Sequence, residues 1–229
     1  MKSIFLFGFF LVHLTINAQQ QLRTEFGAVY YPANMYKTKY NAPEGSPYLY
    51  EGFKAAKINS IKESQLVRFD AVEGNVEVLI NETKVVVLDN FKRYKITLLD
   101  NSGKVFSTLK YTDLKGNENA SFFELLDSTM NYKIYLKEKK RFFKKVKAQG
   151  YADGEPAKFK KVRSEFYFKD AKNRSDRLMI IPQKMSSFIA FFQDDAKSIK
   201  KYIKENKLKI DNPDDLVKIF NFYYKHQGR

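Results

Sequence analysis

The chain carries few of the side chains that enzymes use for covalent or acid–base chemistry. One of its two histidines, His13, lies in an apolar N-terminal run; the other, His226, stands in the last four residues, and there is no cysteine. A Ser-His-Asp or Cys-His nucleophile needs a histidine beside it, and a zinc site needs several His or Cys ligands. The zinc ligands do not exist here, and His226, in a terminal segment, is expected to be a solvated tail residue rather than a catalytic base. No G-x-G-x-x-G loop, Walker loop or D-x-D-x-D-G calcium loop occurs. A Ser-Lys dyad needs no histidine, but Ser198-Ile199-Lys200 has the wrong spacing for one. Carboxylates remain. Asp194-Asp195 and Asp214-Asp215 are adjacent pairs, and adjacent residues on a helix do not face each other. Both pairs sit where a helix start attracts acids, so capping is their expected role. Asp70, Glu77, Asp89, Asp100 and Glu124 fall in or beside predicted strands, where a sheet could converge two of them for glycoside cleavage. No catalytic residue, metal ligand or cofactor site is assigned on this basis.

The strongest positive signal is charge. The chain has a formal net charge of +15. From Lys137 to Arg163, eleven basic residues face three acids, Glu138, Asp153 and Glu155, a surplus of eight within that total. The candidate binding residues are Lys139, Lys140, Arg141, Lys144, Lys145, Lys147, Lys158, Lys160, Lys161 and Arg163. Aromatic residues alternate with them: Phe142, Phe143, Tyr151, Phe159, Phe166, Tyr167 and Phe168. Charge at this density attracts anionic surfaces, and basic grooves with stacking rings can hold single-stranded nucleic acid. Lysines on exposed strands can also simply guard edges against aggregation.

Which polyanion is available depends on where the chain goes. Met1-Lys2-Ser3 is a short basic start, Ile4 to Leu14 is apolar, and Ile16-Asn17-Ala18 offers a small-residue cleavage site. This is the pattern of a secretory signal at 1–18. The run is shorter than the roughly 20 apolar residues a spanning helix needs. An exported protein meets lipid headgroups, lipopolysaccharide and acidic glycans rather than nucleic acid. The expected partner is therefore an anionic envelope surface or another envelope protein, with a periplasmic or secreted location and no transmembrane segment after cleavage.

The elements that must position the basic stretch read as strands, then helices. Residues 22–53 are rich in tyrosine and proline and read as an extended arm that becomes a strand near 48–57. Leu66–Val72 and Val76–Ile80 flank a turn at Glu73-Gly74-Asn75. Val85–Leu88 is a short apolar strand, Tyr94–Leu99 alternates with the period of a half-buried strand, and Asn101-Ser102-Gly103 turns the chain into Val105–Tyr111. Phe122–Leu126 and the alternating Tyr132, Ile134 and Leu136 follow. No proline falls between Pro47 and Pro156, which suits a continuous sheet. Asp153-Gly154 signals a hairpin joining Arg141–Tyr151 to Phe159–Lys169, with the basic cluster on both arms. Leu178–Ile181 is a last short strand. Met185, Phe188, Ile189 and Phe192, then Ala196, Ile199, Tyr202 and Ile203, recur at helical spacing. Asn212-Pro213-Asp214-Asp215 opens a final helix striped by Leu216, Ile219, Phe220 and Tyr223.

The chain resembles uncharacterised exported proteins of flavobacteria-like Gram-negative bacteria. The Ala18-Gln19 junction, the elements from Leu49-Tyr50 to Val67-Arg68-Phe69, and the closing Ile199-Lys200-Lys201-Tyr202-Ile203 and Phe222-Tyr223-Tyr224 carry the likeness. No activity attaches to that group, so the resemblance implies no site residues.

The expected fold is α+β: a single domain over 19–229, β-rich at 48–181 and helical at 184–226. Its antiparallel sheet is expected to be strongly curved or a partial barrel, followed by two to three C-terminal helices. The expected function is non-enzymatic binding or scaffolding through the basic hairpin. A carrier of lipid or another apolar ligand, held between sheet and helices, is the first alternative, and a carboxylate-based hydrolase is the second.

Overall fold

The computed structural model describes residues 31–59, 61–113, 115–147, 154–171 and 177–226. The export signal at 1–18 and the hairpin turn residue Asp153 lie outside the described residues. Among them, β1 (Tyr31–Pro32) and α1 (Met35–Lys39) come first. They are followed by β2 (Lys54–Ile58), β3 (Gln65–Asp70), β4 (Asn75–Asn81), β5 (Lys84–Val87), β6 (Lys95–Leu98) and β7 (Val105–Thr112). The long strands β8 (Glu118–Ser128), β9 (Tyr132–Phe143) and β10 (Lys158–Asp170) precede the short β11 (Met179–Ile180). Three helices close the chain: α2 (Met185–Ala190), α3 (Ala196–Glu205) and α4 (Pro213–His226).

The strands form one antiparallel sheet in the order β1-β5-β4-β3-β2-β6-β7-β8-β9-β10-β11. Strands β2–β5 are one meander and β6–β11 another. β2 is the seam between them: Ala56 pairs with Gln65 of β3 on one side and with Leu98 of β6 on the other. The β3–β4 turn falls where the sequence puts it. Asp70 Oδ1 accepts from the amides of Val72 and Glu73 at 2.8 and 2.9 Å, and Gly74 takes a φ of +76° that L side chains rarely adopt. A Cβ there would also meet Ser121 Oγ at 2.6 Å. At Asn101-Ser102-Gly103, Asp100 Oδ1 accepts from Ser102 N, and Gly103 N donates to Asp100 O.

The core has three parts. The first gathers alternate residues of β2–β8, among them Ile58, Phe69, Val78, Ile96, Phe106 and Phe122, on one face. Phe69 of β3 meets Phe106 of β7 at 4.2 Å and Phe122 of β8 at 5.1 Å. The second lies on the β9–β10 face that the helices cover. There Tyr132, Ile134, Phe166 and Phe168 pack against Phe188, Phe192, Ile199, Leu216, Ile219 and Phe220, at the helical spacing read from the sequence. The third sits on the opposite face, where Leu109, Phe123, Tyr135, Tyr167 and Leu178 meet. Burial on both faces explains why Ile134 to Lys137 are all buried although the sequence alternates.

Several boundaries differ from the sequence reading. The arm at 22–53 contains α1, and the strand expected from Tyr48 begins at Lys54. The hairpin arm expected at Arg141–Tyr151 is instead the end of β9, which runs unbroken from Tyr132 and stops at Phe143. The pairs Phe143–Lys158 and Val146–Glu155 set Lys145 opposite Pro156. Proline has no N–H to donate, so the regular ladder lapses there. At the start of α3, Asp195 makes no side-chain cap hydrogen bond, a correction to its expected capping role; the preceding turn is a 3₁₀ helix at Gln193–Asp195, which already turns the chain. At α4 the expected cap is made: Asn212 Oδ1 accepts from Asp215 N at 3.1 Å. His226 closes α4, with Nδ1 2.8 Å from Phe222 O. Among the described residues no helix is long and apolar enough to cross a membrane.

Candidate functional site

Residues directly opposite on an antiparallel pair share a face, and this sorts the basic hairpin into two unlike surfaces. Glu138, Lys140 and Phe142 of β9 share a face with Phe159 and Lys161 of β10. That face is covered by the N-terminal segment. Tyr40 sets its ring 4.6 Å from Phe142 and 5.0 Å from Phe159. Glu44 N donates to Ala157 O, and Phe159 N donates to Glu44 O. Lys140 Nζ donates to the carbonyls of Ser46 and Tyr48, and burial holds its pKa below the ordinary lysine value. Lys161 pairs with Glu138.

The other face presents Lys139, Arg141 and Phe143 of β9 with Lys158 and Lys160 of β10. Lys139 pairs with Glu165 at 2.8 Å and Lys158 with Glu155 at 2.5 Å. The hydrogen bond from Lys158 holds the Glu155 carboxyl below the usual carboxylate range. Arg141 stands directly opposite Lys160, a like-charge pair of the kind that destabilises a ladder. Lys160 Nζ lies 5.8 Å over the Phe143 ring. Beyond the strand, Lys144, Lys145 and Lys147 are exposed. Arg163, in the bulge between Val162 and Glu165, turns to donate to Gln183 O at 3.2 Å.

The ten expected residues therefore separate. Lys139, Lys158 and Lys161 have carboxylate partners; Lys140 and Arg163 are held by backbone carbonyls. Arg141, Lys144, Lys145, Lys147 and Lys160 have no carboxylate partner among the described residues and are gathered at one end of the β9–β10 ribbon. The sequence also gave no hint that Phe143 (38% exposed) and Val146 (56%) would stand open among these cations. Lys137, counted in the charge of the basic stretch, is buried: its ammonium donates to Tyr111 Oη and lies 3.9 Å from that ring's centroid. Burial pulls its pKa down to about 8. A signal for this existed, since Lys137 shares the face of Tyr135, two residues before it.

Two further clusters escaped the sequence reading. Arg68 donates from Nε to Glu77 at 2.7 Å, its Nη2 donates to Ala33 O, and its guanidinium lies 3.8 Å over Tyr48 and 4.5 Å over Phe53. Glu77 and Asp70 are both raised above the usual carboxylate range, chiefly by burial. Of the five strand acids, these two share one face, but each is committed: Glu77 to Arg68, Asp70 to the turn amides. Glu124 is paired with Lys104 at 2.9 Å. Elsewhere a concavity of about 540 Å³ is lined, among the described residues, by Lys57, Lys62 and Lys95 with Asn59, Thr97, Ile58 and Ile61, and by no carboxylate. Between β9–β10 and the helices, where an apolar cargo was one expectation, Phe168 lies 5.3 Å from Phe220 and 5.8 Å from Phe191.

Compared with known proteins, the chain matches no family, no curated protein and no solved structure. The reading of its function rests on its own residues.

Proposed function

We propose that the protein is an exported, non-enzymatic binding or scaffold component of a bacterial envelope, periplasmic or released, that meets an anionic partner through the end of its basic hairpin. The carrying observation is the group of Arg141, Lys144, Lys145, Lys147 and Lys160, which has no carboxylate partner among the described residues while neighbouring lysines have theirs. Arg141 opposite Lys160 disfavours the ladder by itself; a bound polyanion would reverse the sign of that contribution. Export is read from residues 1–18, and the partner class from the anions of an envelope.

The scaffold behind the hairpin is a single α+β domain whose first half is a strongly curved sheet or partial barrel. Neighbouring strands lie about 4.8 Å apart, so β3 and β7, three steps apart, would stand about 14 Å apart in a flat sheet. The 4.2 Å contact of Phe69 with Phe106 supports a sheet that bends over its own face.

The test is retention on immobilised heparin as a general polyanion. The unmodified protein should be retained at low salt and released as salt screens the contact. Reversal of Arg141, Lys144, Lys145 and Lys160 to glutamate should abolish retention while the thermal transition stays in place, because all four side chains are exposed. Unchanged retention of the reversed variant overturns the site.

A further inference from the structure

We infer that the partner of the hairpin end is the surface of an anionic lipid bilayer, into which Phe143 and Val146 insert while the surrounding cations hold the phosphates. The inference rests on the anion-facing reading above and goes further in naming the partner. Its independent support is the open apolar pair. Phe143 is 38% and Val146 56% exposed, within the five-residue stretch 143–147 whose other members are Lys144, Lys145 and Lys147. A glycan or other soluble polyanion satisfies the lysines and leaves both apolar side chains in water. The boundary between headgroups and acyl chains satisfies both: it removes apolar surface from water while long lysine stems reach back to the phosphates.

Placement favours the same partner. A flat bilayer can be met only by a part of the molecule that ends in open surface. One face of the ribbon is held by Tyr40 and the Glu44 backbone, which stiffens the arm. The opposite face presents Arg141, Phe143 and Lys160 exposed, and Val146, beyond the lapse in the ladder, is exposed as well. Glu155 and Glu165 are paired with Lys158 and Lys139, and Glu44, exposed beside Lys158, is one carboxylate set against the five cations. Anionic headgroups attract such a basic segment only within about a Debye length, roughly 10 Å at 0.1 M salt, so the contact is short-ranged and salt-sensitive.

The chain has no tryptophan, so Phe143→Trp makes a single reporter at the proposed point of entry. The protein lacking residues 1–18, the form expected after export, is mixed with vesicles of phosphatidylcholine alone or containing about one-third phosphatidylglycerol. The expected result is a blue-shifted, brighter emission with the anionic vesicles, none with the neutral ones, and reversal on adding salt. In sedimentation, Phe143→Ser with Val146→Ser should lower partition onto anionic vesicles about tenfold with heparin retention and thermal transition unchanged. If emission stays at its value in water while the protein still binds heparin or sediments with vesicles, the lipid inference falls and the anion-facing hairpin stands. If neither heparin nor anionic vesicles retain the protein, both fall.

Discussion

Arg68 and Arg141 lie in the same sheet, yet their surroundings differ. Arg68 is sandwiched between Tyr48 and Phe53, bonded to Glu77 and to the Ala33 carbonyl, with its side chain and that of Glu77 each 10% exposed. Arg141 is exposed, opposite another cation, and has no carboxylate partner among the described residues. The first arrangement fastens the N-terminal segment across β3 and β4. The second leaves charge available. A cation beside a ring is thus no sign of a binding platform until its hydrogen bonds have been counted, and at Arg68 both Nε and Nη2 already have partners.

The comparison makes its largest prediction at the buried pair. Arg68→Met should destabilise the protein by about 3–5 kcal/mol in urea unfolding, because Glu77 is left charged and buried. Adding Glu77→Leu should restore much of that loss. A single-variant cost below about 1 kcal/mol would place Arg68 in the same class as Arg141. Next comes Gly74→Ala, expected to cost about 1–2 kcal/mol from the left-handed backbone alone, plus the contact with Ser121 Oγ. Combining it with Ser121→Ala should remove only the second part, and unfolding midpoints of the two variants separate the contributions.

Lys137 lies between the two extremes, a buried cation on the face that leads to the open end. Its folded pKa, about 8, is below the ordinary lysine value of 10.5. Between pH 8 and 10 the native lysine is mostly neutral while the unfolded one still binds a proton. Stability should therefore rise with pH in that window, by at most about 1.4 kcal/mol per pH unit. Unfolding measured against Lys137→Met isolates the contribution from that of Lys140, whose pKa is lowered as well. Equal slopes in the two proteins would remove Lys137 from the buried class. The smallest effect belongs to Lys161→Ala. Its pair with Glu138 is 64% exposed on the lysine side, and loss of about 0.5 kcal/mol or less is expected.

Strand order by hairpins, the Gly74 and Gly103 turns and the stripes of α2–α4 were legible because each depends on local alternation or turn chemistry. The Asn212 cap was legible for the same reason. What was hidden depends on residues far apart in the chain. Arg68 reads as an ordinary outward residue of β3 until Ala33 and Tyr48 arrive, 35 and 20 positions upstream. The basic hairpin was legible as a concentration of charge, but Glu138 and Glu165 remove two of its lysines through register, which composition does not encode, and Glu155 removes a third from three residues away. Burial of Lys137 has the same origin, since it needs Tyr111 from β7 to complete its surroundings.

Two of the three parts of the core also close at different moments in the life of the chain. The first cluster is complete once Phe122 has been made, and its strands pair with near neighbours apart from the seam at β2. The second waits for Phe220, and Tyr132 reaches the Asn221 side chain, 89 positions later, at 2.9 Å. Growth from the N-terminus therefore gives a chain that can settle its first half during synthesis and holds β9 and β10 open until the last helix emerges. Interruption of α4 would act on that step, and so on the yield of folded protein more than on the surface that β9 and β10 present at their far end.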